Sequence, residues 1–160
     1  MKIRTADMLY QCLCDELAWR KKELTNIKLL HDKARDHQQE LLRRAGVALL
    51  YAHWEGFVRG AGTAYIEFVA RQGLQYQQLQ PNFVAIAARQ DLGMFAASQR
   101  GTILCRVSEF FRTKQGERAT ITWEKAIQTK ANLSAELTRD IVVLLGLDYS
   151  PFQIHEKSVI

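Results

Sequence analysis

The sequence predicts an all-α fold, a helical bundle built around two long antiparallel helices. Two observations carry that expectation. Only two prolines (Pro81 and Pro151) and nine glycines interrupt 160 residues, which leaves stretches too long for a protein of many short strands. Within residues 5–33 and 36–72, apolar side chains recur at three- and four-residue steps, the period of one helix face. With 48% apolar and 24% charged residues, the composition is that of a globular chain, and residues 1–160 fit a single domain.

The first helix is expected from Thr5 to Lys33. Thr5 stands as N-cap, and Leu9, Leu13, Leu17, Leu24, Ile27 and Leu30 follow helical spacing. The run Trp19-Arg20-Lys21-Lys22-Glu23 reads most simply as a solvated face. Asp36 is expected to cap a second helix that runs to Gln72 and closes at Gly73. Its large apolar face comprises Val47, Leu50, Trp54, Phe57, Val58, Ala61, Tyr65 and Phe68, with Trp54 expected in the core. Gly46, Leu49, His53, Gly56, Gly60 and Thr63 form a second stripe. Glycine in a helix interior costs about 1 kcal/mol against alanine, so the stripe calls for close approach of a neighbouring helix or a second subunit, with a two-fold dimer favoured.

Pro81 suits the first turn of a short helix to Ala88. Ser98 is the expected cap of a helix to Thr113 whose inner side is Ile103, Leu104, Val107, Phe110 and Phe111. Residues 113–129 read as either extended chain or packed loop. The last helix starts near Asn132 or Ser134, with Leu137, Ile141, Val142, Leu144 and Leu145 inward. Gly146-Leu147 looks like a left-handed cap with its hydrophobic contact, and Pro151 is expected to end regular structure.

Composition excludes several classes. The longest clean apolar run, Val47 to Ala52, is far short of the roughly 18 residues that span a membrane. No signal-peptide core follows the N-terminus, so no membrane and a cytoplasmic location are expected. The net charge is +5, with excess base in residues 1–35 and 98–130, a tilt compatible with nucleic acid. Cys12, Cys14 and Cys105 make no disulfide framework or zinc knuckle and read as reduced, buried thiols. His31, His37 and His155 lack partners at ligand spacing, so neither metal nor cofactor is expected. No phosphate loop or nucleophile elbow is present.

His53-Trp54-Glu55 is the segment where chemistry could sit. Two residues apart on a helix, His53 and Glu55 point about 200° away from each other and cannot form a dyad within one chain. Glu55 is spaced to pair with Arg59, and His53 reads first as a histidine packed at a helix contact. From motifs alone no reaction can be read.

The segment Leu42 to Val58, with its block Ala52-His53-Trp54-Glu55-Gly56-Phe57 and Tyr65 beyond, resembles the second helix of a HEPN-superfamily branch found in prokaryotic toxin–antitoxin and defence loci. Asn132-Leu133-Ser134 and the helix ending Leu145-Gly146-Leu147-Asp148 are similar to the later part of that branch. The resemblance implies an all-α homodimer and often a metal-independent endoribonuclease. There, an arginine and a histidine separated by four to six residues meet their copies at the dimer cleft. The histidine would handle a proton at the ribose 2′-OH or the leaving oxygen, and the arginine would stabilise phosphate charge. Here Arg43 and Arg44 precede His53 by ten and nine positions and Arg139 precedes His155 by sixteen, so the motif is missing.

Two expectations follow: a fragment truncated before its catalytic helix, or a non-catalytic relative. Glu55 and His53 remain the candidate catalytic residues, with Glu55 the group that would support the missing motif from its neighbouring helix. Besides a second copy of the chain, the expected partners are RNA and an antitoxin or defence-system protein. Three functions compete. One is a HEPN-like toxin or defence ribonuclease, the second a non-catalytic helical interaction module acting as neutralising or scaffold partner, and the third a basic nucleic-acid-binding domain.

Overall fold

A computed structural model of the chain describes residues 2–97, 100–129 and 133–152. Among these described residues six α-helices follow one another: α1 Ala6–Lys33, α2 Asp36–Arg71, α3 Pro81–Ala87, α4 Arg89–Ala97, α5 Gly101–Thr113 and α6 Ala135–Leu144. No strand occurs among the described residues; one antiparallel bridge, Gln75 to Arg118, ties two loops together. The all-α expectation holds.

Thr5 caps α1 through its hydroxyl, which accepts from the Met8 N–H. The reversal into α2 uses no glycine or proline, because Ala34 and Arg35 are both extended. Asp36 is not the cap. Arg35 holds that position, its N–H donating to the Gln38 side chain, and Asp36 is the first helical residue. There its carboxylate still complements the positive end of the helix. The two helices run antiparallel, since Glu16 lies against Gly60, Arg20 against Gly56, and Glu23 against His53. The N-terminus is pinned at the other end of the hairpin, where the Ile3 N–H donates to Glu67.

Beyond Gly73, which takes a left-handed φ of 70°, the chain wraps the C-terminal half of α2. Ile66, fully buried, is joined there by Phe83, Ile86, Ile121, Ile127, Ile141 and Leu145. Residues 117–129 are the packed-loop alternative: Ile121, Ala126 and Ile127 are buried, and Arg89 donates to the Ala126 carbonyl at 2.9 Å. Helix α4 was not legible as a separate element. The expected Ser98 cap lies outside the described residues, and Arg100 stands as the N-cap of α5, without a side-chain cap bond. Ser134 caps α6. Gly146, at φ 70°, closes it with paired bonds from Gly146 N–H to Val143 and from Leu147 N–H to Val142. Pro151 does not end regular structure. Residues 150–152 are helical, with the Ser150 N–H held by Asp148.

Several expected core residues are exposed. Trp54 is 38% and Leu50 55% accessible; Trp54 borders an open apolar cavity between α1, α2 and α6 rather than a filled core. Phe111 is likewise exposed. The cysteines are free but not buried: Cys12 and Cys14 are half-buried and Cys105 is exposed.

Candidate functional site

The structure sends the two candidate residues of α2 to different places. His53 faces α1 and is buried. Its ring meets the Trp19 ring edge-on at 5.2 Å. Its Nε2 lies 3.0 Å from a Glu23 carboxylate oxygen, within ion-pair range but without the alignment of a hydrogen bond. Beside it, Arg20 is buried as well, paired with Glu16 one turn earlier and lying over the Trp19 ring at 4.3 Å.

The glycine stripe explains how these groups fit. A Cβ on Gly56 would stand 3.3 Å from an Arg20 guanidinium nitrogen, and one on Gly60 would stand 3.7 Å from Glu16. The neighbour that the stripe admits is therefore α1 of the same chain, approaching through its side chains. The expectation of a second subunit against these glycines is corrected at Gly56 and Gly60, while a side chain at Gly46 would meet nothing within 4 Å. The solvated reading of Trp19 to Glu23 holds at the four other positions and is corrected at Arg20. Trp19, Lys21, Lys22 and Glu23 are exposed, Glu23 beside His53, whereas Arg20 is buried. Arg20 was missed because its burial depends on which α2 residues lie opposite. The available signal was the pairing of a long polar side chain on one helix with glycines on the other.

Glu55 points elsewhere. It is half-buried and accepts from the hydroxyl of buried Thr129. The expected ion pair with Arg59 is not formed; the pairing is with a loop hydroxyl instead, although Arg59 lines the same cleft. That cleft holds about 500 Å³ and is bordered by Glu55, Arg59, Glu124, Lys125 and Thr129. A second cleft shares Arg59 and Glu124 and reaches Cys12 and Glu67. Burial pushes the Cys12 thiol up, helped by Glu16, Asp15 and Glu67. The thiolate is thereby disfavoured, so Cys12 is a poor nucleophile.

Chemically, the Glu55 cleft offers two cations and two carboxylates but no imidazole. His53, with 7% of its surface accessible, lies between the helices and away from this cleft, so no proton-transfer pair is assembled among the described residues. His31 sits 3.1 Å from Asp32 on the surface, His37 is exposed, and His155 lies outside the described residues. No three His, Cys, Asp or Glu side chains among the described residues converge on a point that could hold a metal ion. Among the described residues no helix is long and apolar enough to cross a membrane.

Comparison with known proteins bears on the family. The RiboL-PSP-HEPN family model matches residues 15–159, a span that includes the last two-thirds of α1, all of α2, the packed loop and α6. No curated protein and no solved structure gives a match. With nearly its whole length matched and an all-α architecture around a long helical hairpin, this chain belongs to the RiboL-PSP-HEPN family of the HEPN superfamily.

Proposed function

We propose that residues 1–160 are the structural scaffold of a HEPN-type toxin or defence protein, one that cleaves RNA in the cytoplasm without a metal through an arginine–histidine motif not contained in these residues. One observation carries the scaffold reading. The Arg20 and His53 side chains are both buried in the α1–α2 contact, and no arginine in the sequence is followed by a histidine after four to six intervening residues. In this reading the working unit is a homodimer, and Glu55, held by Thr129, supports the motif from α2. The test is the product of the complete natural gene, purified and assayed on RNA in a chelator. The expected result is cleavage that disappears when the histidine of an arginine–histidine motif is replaced by alanine. A complete gene without such a motif, or a product that leaves RNA intact, overturns the proposal.

A second reading, a non-catalytic interaction module in a toxin–antitoxin or defence pair, is favoured by the exposed apolar side of the hairpin, where Val47 and Leu50 are more than half accessible. Protein recovered with a stoichiometric partner and no nuclease activity from the complete gene would select it.

A further inference from the structure

Between the outer ends of α1 and α2 lies an apolar crevice of about 410 Å³, lined by Leu24, Ile27, Lys28, Leu42, Arg43 and Leu50. Gly46 lies along it, and a side chain there would meet open space. Val47, one residue on, is 65% accessible, so the apolar surface continues past the crevice edge. Its volume is that of a cleft able to take several side chains.

The rim leaves one lysine uncompensated: Lys28 has no ion-pair partner among the described residues, Arg43 is bonded to Glu40, and His31 at the edge pairs with Asp32. Residues 21–50 carry seven basic and four acidic groups. With Lys28 uncompensated and base in excess over this segment, an acidic occupant is favoured over a second copy of the same basic chain. An apolar groove with a basic edge matches a helix that is apolar on one side and acidic on the other.

We propose that this crevice receives an acidic amphipathic helix of another protein. Its apolar side chains seat between Leu24, Ile27 and Leu50, and its carboxylates reach Lys28 and Arg43. The inference goes beyond the RNA-cleavage reading, and its test reads binding alone.

The probe is a fluorescent synthetic helix of about five turns, leucine on one side and glutamate on the other, with a lysine-for-glutamate counterpart. Anisotropy titrations on the full 160-residue chain are expected to show saturable binding of the acidic peptide, weakened by salt. The basic counterpart is expected to bind about tenfold or more weaker. Gly46→Leu fills the crevice, and Lys28→Glu reverses its rim. Each is expected to lose about tenfold in affinity, and Lys28→Glu keeps the test open if Gly46→Leu melts early. No binding of the acidic peptide, equal binding of both peptides, or unchanged affinity in both variants overturns the proposal. So does a chain dimer, seen by sedimentation, that Gly46→Leu dissociates, because a second copy would then occupy the crevice.

Discussion

From Phe57 to Arg71, α2 lies in the middle of the molecule, with Ile66 fully buried among Phe83, Ile127 and Leu145. From Asp36 to Leu50 the same helix lies beside α1, and Leu41, Val47 and Leu50 are exposed. Both halves carry apolar residues at helical spacing. Periodicity therefore reports that a helix face is apolar and leaves open whether anything in the chain covers it. The base of the hairpin holds the fold, and the tip carries surface that folding leaves unused.

Replacing one aliphatic side chain in each half gives the sharpest contrast. Ile66→Ala is expected to destabilise the chain by about 2–5 kcal/mol, and Val47→Ala to stay within about 0.5 kcal/mol, both read from urea denaturation midpoints. Similar losses at the two positions would erase the distinction.

At the junction between the halves, Gly56→Leu drives a side chain into the Arg20 guanidinium. The expected cost is about 1–3 kcal/mol in a thermal melt at any protein concentration, because the neighbour is α1 of the same chain. A loss that appears only when the protein is concentrated would instead put a second subunit against the stripe.

Glu55→Ala removes the acceptor of the Thr129 hydroxyl on the covered side of α2. About 1 kcal/mol is expected, since no buried arginine is left without its counter-ion. A loss of roughly 3–5 kcal/mol would mean that Glu55 neutralises a buried cation after all.

Back at the tip, Gly46→Ala places a methyl in open space and relieves the helix of a poor former. A gain of about 0.5–1 kcal/mol is expected, and a loss would indicate that something already fills the crevice.

Much of this arrangement was legible in the sequence, and the gaps have physical causes. The limits of α1 and α2, the Thr5 and Ser134 caps and the left-handed Gly146 follow from local rules that act over a few residues. The burial of Arg20, the exposure of Trp54 and the bond from Thr129 to Glu55 depend on residues far apart in sequence, which no local pattern encodes. At the candidate site, the helical geometry already separated His53 from Glu55. Their partners, Trp19 and Thr129, emerged only once the hairpin and the packed loop were in place. The family was readable from the Ala52 to Phe57 block, because six consecutive residues form a motif that can be recognised without knowing what each one touches.

The most direct measurement is an RNA-cleavage assay of this 160-residue chain, rigorously purified and assayed in a chelator, beside its His53→Ala variant. With His53 locked against Trp19 and Glu23 and no correctly spaced arginine–histidine motif, both proteins are expected to leave RNA intact, lacking general acid–base help of about 10²–10⁴-fold. Cleavage by the parent chain that vanishes in His53→Ala would contradict this and place the active site between α1 and α2.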